Sequence, residues 1–361
     1  MDRFIPRRGI NRFAAPVVTL AELGWNDHFK AEYALLAAKD LRPGRVAIEF
    51  NQNFRIYLEG EELDAVTAGR VKHRAKNRAE LPAVGDWVVV RQREAHGAVI
   101  VAVLPRRSAF TRRGAGNVTG EQVVAANVDV VFVVMGLDAD FNLRRLERYL
   151  LMARESGASP VILLTKPDLC ADVPAAVNEA AQVAGDLPVH VLQPKLGEGI
   201  EHLRAHLGPG LTAALLGSSG VGKSTIINRL VGSDVQRTRE VRESDSRGRH
   251  TTTHRELVML PEGGLIIDTP GMRELQLWDA AGAVRETFEE IEALTAGCHF
   301  GNCRHRDEPR CAVKAAVAEG QVSAERLESY LKLQIELTGL AKQQDERAEI
   351  DEKRRGKLRR R

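Results

Sequence analysis

A glycine-rich turn separates an apolar run from a helix-forming run in LLGSSGVGKSTIINRL, residues 215–230. The segment matches the pattern G-x-x-x-x-G-K-[ST], in which glycines allow backbone N–H groups to surround phosphates. In this pattern Lys223 contacts the β- and γ-phosphates, and the Ser224 hydroxyl is a ligand of Mg²⁺. An apolar strand before the turn and a helix N-terminus after it complete the context. The predicted phosphate-binding residues are Gly217, Ser218, Ser219, Gly220, Val221, Gly222, Lys223, Ser224 and Thr225.

A second phosphate-linked motif, DTPG at residues 268–271, follows the apolar run GGLIID. Asp268 stands where a strand-end aspartate holds Mg²⁺ through water, and the Gly271 N–H is placed to contact a γ-phosphate. The segment SRGRHTTTHREL lies between the two motifs and supplies threonines for a switch with a second Mg²⁺ ligand. Thr251 and Thr252 are equally placed for that role.

The segment VILLTKPDL, residues 161–169, carries a motif that recognises a base. A carboxylate at Asp168 can accept hydrogen bonds from N1–H and the exocyclic amine of guanine, whereas adenine offers an acceptor at N1. Lys166 would lie along the base, flanked by Thr165 and Pro167. The motif predicts that GTP and GDP are bound. A Lys-Pro-Asp sequence after a strand is often only a turn that recognises no base. The first alternative is therefore a P-loop ATPase motor or a kinase.

The order of these motifs is unusual, because in ordinary GTPases the phosphate loop precedes the [NT]KxD motif. A GTPase sheet can be cut between DxxG and [NT]KxD if its old termini are joined, and domain termini often lie close together. Residues 200–215 would be that join. Apolar runs such as VDVVFVVMG and PVILLTK alternate with helical segments and predict a circularly permuted α/β P-loop GTPase domain over residues 115–276. Its first helix would bury Leu143, Leu146 and Leu150.

Short alternating runs before this domain predict a small β-barrel over residues 44–114. They are RVAIEF, FRIYLEG, GDWVVVRQ and GAVIVAVL. The length fits a five-stranded barrel of the OB type, although alternation alone also fits an SH3-like barrel. Residues 1–43 are predicted to form an N-terminal extension that is partly helical around AEYALLAAKD, residues 31–40.

Three of the four cysteines crowd into CHFGNCRHRDEPRC. In a cytosolic protein this crowding favours a metal over disulfides or free buried thiols. Three thiolates and one imidazole would close a tetrahedral structural site for one Zn²⁺ ion. The predicted ligands are Cys298, Cys303, His305 and Cys311, whereas Cys170 is expected to be a core or surface thiol.

The cysteine cluster belongs to a predicted zinc-binding helical domain over residues 277–345. Its last helix would start at an N-cap, Ser323, and bury a stripe formed by Leu327, Leu331 and Ile335. A basic tail over residues 346–361 would follow it.

The charge distribution suggests a partner for the protein, although the net charge is only +3. The tail KRRGKLRRR and the segment GRVKHRAKNRAE, residues 69–80, are both strongly basic. If residues 69–80 were extended, their five cations would share one side of the strand. The alternatives are a polyanion such as RNA, or a solubilising loop and tail. Neither a signal peptide nor an apolar membrane span is found, so we expect a cytoplasmic protein.

Together these residues resemble the ribosome small-subunit-dependent GTPase A family, the circularly permuted GTPases of bacteria. The resemblance covers residues 44–330, through TKPD, GSSGVGKST, GRHTTT, DTPGMRE and the cysteine cluster. It implies an OB-fold N-terminal domain, GTP hydrolysis stimulated by the small (30S) ribosomal subunit, and a role in late maturation of that subunit. The partners would be the subunit and its 16S rRNA, and we expect a monomer.

The chain departs from the family pattern at two positions. Thr165 stands where the family usually has Asn, and LQPKLGEG, residues 192–199, replaces a Ser-Ala segment whose N–H meets guanine O6. Pro194 in this segment has no N–H to donate.

The source of catalysis is left open by the sequence. Met272 follows DTPG where Ras-like proteins place the glutamine that orients water, and a thioether cannot do this. His250 is the nearest candidate to accept a proton from water, although it could equally pack or contact RNA. A second alternative function is a zinc and RNA-binding protein with an inactive GTPase domain. Intact Lys223, Ser224 and Asp268 favour an active one.

Overall fold

The computed structural model describes residues 18–36, 40–93, 97–113, 121–218, 220–232, 255–268, 288–324 and 326–332, together with 334, 335 and 338. Among these residues, no helix combines the length and the apolar character that crossing a membrane requires. The predicted division of the chain at residues 43, 114, 276 and 345 stays a prediction.

Five strands near the N-terminus close into a barrel, which confirms that prediction. They are β1 (Leu41–Phe50), β2 (Asn53–Leu58), β3 (Glu61–Thr67), β4 (Trp87–Gln92) and β5 (Ala98–Val103). β1 pairs with both β2 and β4, and β3 lies parallel to β5, an order that agrees with a Greek-key barrel of the OB type. Alternate residues such as Val46, Ile56 and Ile100 fill the interior.

The basic segment between β3 and β4 is not extended, so the predicted row of cations on one side of a strand is wrong. Helix α2 (Gly69–Arg74) and a 3₁₀ turn (Arg78–Glu80) occupy it, and Asn77 caps the turn by accepting from the Glu80 N–H. In a helix, residues two apart point to opposite sides of the axis. The cations of this segment are exposed on several sides instead.

The segment before the barrel packs onto it. Helix α1 (Asp27–Ala34) begins at the N-cap Asn26 and ends earlier than the predicted helical stretch. Phe29 and Leu23 are buried, and the Trp25 ring meets the Trp87 ring edge to face at 4.7 Å. These apolar side chains belong to a core cluster on the outer face of β4, separate from the barrel interior.

The central part of the chain forms the predicted parallel α/β sheet. A separate pair, β6 (Ala109–Arg113) and β7 (Glu121–Ala126), connects it to the barrel. The sheet strands are β8 (Val130–Gly136), β9 (Ser159–Thr165), β10 (Val189–Leu192), β11 (Thr212–Gly217), β12 (Arg255–Met259) and β13 (Leu265–Asp268). Their order is β10-β9-β8-β11-β13-β12, and all except β12 are parallel.

Four helices accompany this sheet: α3 (Leu143–Ser156), α4 (Val173–Ala184), α5 (Ile200–Arg204) and α6 (Lys223–Val231). On α3, Leu146 and Leu150 are buried as predicted, while Leu143 is half-buried. Cys170 is half-buried against the core between α3 and α4, in line with an unreactive thiol.

The barrel and the α/β sheet share hydrogen bonds. β1 pairs antiparallel with β12 through Ile48 and Glu256 and through Glu49 and Arg255. The two sheets therefore form one continuous sheet of 11 strands.

The C-terminal unit is helical, with α7 (Glu289–Thr295), α8 (Ala312–Ala318) and a helical stretch over 326–332. The Ser323 hydroxyl accepts from the Arg326 N–H at 3.1 Å, as an N-cap does. Leu327 is buried and Leu331 half-buried, but Ile335 is 54% exposed, so the predicted stripe ends at Leu331. The basic tail lies outside the described residues.

Candidate functional site

The parallel sheet places three motifs at one edge. β9 ends at Thr165, β11 at Gly217 and β13 at Asp268. The pairs Gly136–Thr165 and Val134–Gly217 align the ends of β9 and β11 through β8, and β13 lies parallel to β11. In open α/β sheets, ligands bind beyond the carboxyl ends of the strands. The base motif and the phosphate loop meet at this edge despite their reversed order in the chain.

The phosphate loop depends on glycines with positive φ. Gly217, Gly220 and Gly222 have φ of 157°, 74° and 105°. A Cβ on Gly217 would lie 2.2 Å from the Val134 carbonyl oxygen, a backbone atom that cannot move aside. Only glycine therefore lets the chain turn from β11 into the loop.

Lys223 and Ser224 begin α6 directly after this turn. The Lys223 ammonium donates to the Gly217 carbonyl at 2.7 Å and to the Ser218 carbonyl, so it lies folded across the loop. Ser224 is exposed in the first helical turn, where free N–H groups favour anions. The exposed Ser224 hydroxyl and the carboxylate of Asp268, at the end of β13, have the oxygen chemistry that Mg²⁺ prefers.

Thr165 connects the base motif to the phosphate loop. Its side chain is buried, and its hydroxyl donates to the Val221 carbonyl at 2.7 Å and lies 3.3 Å from the Met135 carbonyl. At the position where the family usually has Asn, a hydroxyl therefore braces the loop. The sequence predicts Thr165 as part of the base motif but gives no sign of its partner on the phosphate loop.

Replacing Thr165 by valine is expected to lower the free energy of unfolding by about 1 to 2 kcal/mol, because the buried Val221 carbonyl loses its donor. The affinity for GDP should fall as well, since the phosphate loop loses its brace. Chemical denaturation and GDP titration measure the two effects. Thr165→Ser keeps the hydroxyl and is the control. A valine variant with unchanged stability would contradict the bracing role.

The lysine of TKPD is held in place by a residue that the sequence analysis missed. Lys166 has φ 59°, and its ammonium pairs with the Asp138 carboxylate at 2.6 Å. This hydrogen bond is the main cause that holds the pKa of Asp138 below its usual range. Asp138 follows the carboxyl end of β8, and that placement was the available signal. Asp168 lies in the 3₁₀ turn Pro167–Leu169 and is exposed, so its carboxylate is accessible to a base.

The segment that replaces the Ser-Ala motif is anchored to α6. The Arg229 guanidinium donates to the Pro194 carbonyl at 2.9 Å and to the Lys195 carbonyl. Gln193 and Glu198 form a β-bridge that closes the segment into a compact loop. The loop therefore has a defined conformation although Pro194 offers no N–H.

Several predicted site residues lie outside the described part of the chain. They are Ser219, His250, Thr251, Thr252 and Gly271. Their roles stay predictions.

The four predicted metal ligands of the C-terminal unit come together. Their ligand atoms all lie within 4.8 Å of one another. The Cys298 and Cys311 sulfurs are 3.9 Å apart, and His305 Nδ1 lies 3.5 Å and 3.4 Å from them. A tetrahedral ion with Zn–S and Zn–N bonds near 2.3 and 2.0 Å requires ligand separations of about 3.5 to 3.8 Å. The cluster has the composition and spacing to hold a metal ion.

Local structure positions these ligands. His305 has φ 58°, and the Glu308 carboxylate accepts from the backbone N–H groups of Arg304 and Arg306 at 3.0 and 2.9 Å. These hydrogen bonds, led by the one from Arg306, lower the pKa of Glu308 to about 2. Burial lowers the pKa of His305, which favours the neutral imidazole that binds metals. Cys311 lies at the start of α8.

Comparison with known proteins agrees with this architecture. Residues 103–278 match the family described as RsgA GTPase. The chain is 49% identical over 338 residues to "Small ribosomal subunit biogenesis GTPase RsgA" of Opitutus terrae, covering 91% of this chain and 92% of that protein. It is 45% identical to "Small ribosomal subunit biogenesis GTPase RsgA 2" of Lactiplantibacillus plantarum, covering 85% of this chain and 87% of that protein.

Two solved structures share the fold. YjeQ from Thermotoga maritima has a TM-score of 0.62 at 28% identity, covering 83% of this chain and 99% of that chain. YloQ, described as a circularly permuted GTPase, has a TM-score of 0.58 at 23% identity, covering 83% and 96%, and supports the fold alone. The predicted barrel, permuted GTPase domain and cysteine cluster are confirmed. A relative from this family is 49% identical over 91% of the chain, and the family model matches the central domain. The protein therefore belongs to the RsgA GTPase family.

Proposed function

We propose that this GTPase binds the small (30S) ribosomal subunit and its 16S rRNA, and that it acts in late maturation of that subunit. The observation that carries the proposal is the permuted sheet edge that brings TKPD and the phosphate loop together, in a chain 49% identical to a protein named for small-subunit biogenesis. The site of action would be the cytoplasm, and the active form a monomer.

Each site residue has a proposed role in GTP binding. Asp168 accepts from guanine, Lys166 lies along the base, and Lys223 leaves its two carbonyl partners for the β- and γ-phosphates. Mg²⁺, held by Ser224 with Asp268 through water and by Thr251 or Thr252, would neutralise charge on the phosphate oxygens. The N–H groups of the phosphate loop and of Gly271 would contact phosphate. The Cys₃His cluster is proposed to hold a structural zinc ion.

The exposed cations of residues 69–80 support a polyanionic partner. Arg70, Lys72 and Arg74 project from α2 into solvent beside the barrel, and Lys76 and Arg78 follow them. In nucleic-acid binding, such side chains neutralise phosphates and make affinity depend on salt. This surface is proposed to contact rRNA together with the tail 353–361.

Co-sedimentation with purified small subunits tests the proposal. We expect the protein to bind subunits with a non-hydrolysable GTP analogue, to dissociate with GDP, and to hydrolyse GTP much faster when subunits are added. Large subunits are the control. Binding that ignores the nucleotide, with RNA affinity unchanged in Lys223→Ala and no turnover, would instead favour the inactive-domain alternative. Displacement of bound nucleotide by ADP as readily as by GDP would favour an ATPase.

His250 is proposed to accept a proton from the attacking water when the protein is bound to the subunit, because Met272 cannot orient that water. Replacing His250 by alanine is expected to lower subunit-stimulated GTP turnover about 100-fold, while GTP and subunit binding are retained. Single-turnover hydrolysis with saturating subunits measures this. His254→Ala, four residues away, is the matched control. Full stimulation of His250→Ala would assign the catalytic group to the ribosome or to another residue.

A further inference from the structure

Three histidines gather beside the edge strand of the α/β sheet, away from the Cys₃His cluster. His190 lies on β10, His202 lies on α5, and His206 lies two residues beyond the end of α5. The Nε2 atoms of His190 and His206 are 3.1 Å apart. The rings of His190 and His202 stack with centroids 5.0 Å apart and an angle of 8° between their planes. Three imidazoles therefore share one small region of the surface.

Helix α5 and the turn after it bring two of these imidazoles to His190. His202 and His206 are four positions apart in HLRAH, α5 ends at Arg204, and His206 lies in the turn that follows, where its N–H donates to the Leu203 carbonyl at 3.0 Å. Two histidines at this spacing are a familiar metal-binding arrangement when a third ligand comes from another element. Here the neighbouring β10 supplies His190.

The separation of the two Nε2 atoms fits a shared metal ion. With metal–nitrogen bonds of 2.0 to 2.1 Å, two imidazoles on one ion are about 2.9 Å apart at a right angle and about 3.3 Å apart in a tetrahedron. The 3.1 Å distance lies between these values. Without metal, one ring donates its N–H to the lone pair of the other, and an ion would replace that proton.

We propose that His190, His206 and His202 form a second binding site for a divalent transition-metal ion, of the kind that imidazole ligands favour: Zn²⁺, Ni²⁺ or Cu²⁺. His190 and His206 would bind first. His202, whose side chain is 52% exposed, would rotate about its side-chain torsions to supply the third nitrogen, and water would complete the coordination. Lacking thiolates, this site should be weaker and faster to exchange than the Cys₃His site.

The surroundings favour a neutral, available imidazole at His190. Burial, followed by the neighbouring His202 and His206, lowers the pKa of His190. Among the described residues, the carboxylate paired with these histidines is that of Glu201, 3.9 Å from His202 Nε2. His206 also packs edge to face against Phe132 at 6.5 Å, which limits its motion.

The position of the site gives a bound ion a structural effect. His190 precedes and His202 follows the loop 193–199, which α6 anchors through Arg229. An ion that joins β10 to α5 would fasten both ends of this loop. The metal is expected to raise the Tm of the protein, because it binds the folded chain and the ligands separate on unfolding.

Calorimetric titration of the full-length, tag-free protein, with one equivalent of zinc already bound, tests the proposal with Ni²⁺. We expect one further equivalent to bind, and His190→Gln and His206→Gln to lower its affinity at least tenfold. His202→Gln should lower it less. His28→Gln, on α1 beside the barrel, is the matched control and should bind as the unmodified protein does.

Electron paramagnetic resonance with Cu²⁺ supplies a second measurement that identifies the ligands. We expect hyperfine lines from two or three nitrogens, and fewer in His206→Gln. Far-UV circular dichroism and GDP affinity verify that each variant is folded. If His190→Gln is not folded, the test uses His206→Gln alone. The proposal fails if no additional equivalent binds, if the nitrogen lines are unchanged in a folded variant, or if His28→Gln loses as much affinity as the others.

Discussion

Replacing Asp168 by asparagine is expected to lower the affinity for GTP by about 1,000-fold and to create a preference for xanthosine triphosphate. The carboxylate accepts hydrogen bonds from both N1–H and the amine of guanine. The amide of asparagine has only one acceptor oxygen, so its NH₂ group would face one of these two guanine donors. Xanthine carries an oxygen in place of the amine, so the new amide can donate to it. The exposed position of Asp168 in a short turn means that the change alters recognition and not packing.

Competition between nucleotides for a fluorescent GDP analogue measures this change. Asp186→Asn, an exposed aspartate beyond α4, removes the same charge without touching the site and should behave as the unmodified protein does. An Asp168→Asn protein that still prefers GTP would show that another residue recognises the base. Equal affinity of the unmodified protein for ATP and GTP would have the same meaning.

Removal of Cys303 or His305 is expected to release the metal and unfold the C-terminal unit. Its helices α7 and α8 have 7 residues each, too short to be stable alone, so the unit depends on packing and, with the proposed zinc ion, on the metal as well. Structural zinc contributes about 10 to 16 kcal/mol in small zinc domains. GDP binding should remain largely intact, because two of the core clusters of the α/β sheet contain no residue of the C-terminal unit.

Metal analysis, hydrogen exchange over residues 288–332 and GDP titration measure the three parts of this prediction. Cys170→Ser is the matched control, since this thiol lies between α3 and α4 and should leave the metal content unchanged. A double variant of Cys303 and His305 that keeps stoichiometric metal would overturn the assignment of these ligands.

The apolar runs and the nucleotide-binding motifs that follow them were sufficient to predict most of the fold. β8, β9 and β11 are buried throughout or nearly so, and their continuous apolar sequences are typical of central parallel strands. β3 was not predicted, because its first half is acidic and exposed and its apolar face is short. Its conformation depends on pairing with β2, which precedes it directly in a hairpin, and on pairing with the later strand β5.

The site was predictable as a set of motifs but not as a set of contacts. In the sequence, Thr165 is only a departure from the usual Asn of the base motif, whereas in the structure its hydroxyl donates to the Val221 carbonyl, 56 residues away. Asp138 belongs to no motif, and only the adjacent ends of β8 and β9 bring it to Lys166. Such partners arise from strand order, which local patterns do not encode.

The pairing of β1 with β12 has a consequence for synthesis on the ribosome. The barrel strands lie in the first part of the chain, but Ile48 and Glu49 pair with residues about 200 positions later. At 5 to 20 residues per second, this edge of β1 waits about 10 to 40 s for its partner. During that time the nascent chain carries an open strand edge, which is a template for pairing with other chains. The pairing of β1 with β12 is therefore a late event in folding, and the rate of translation sets when it can occur.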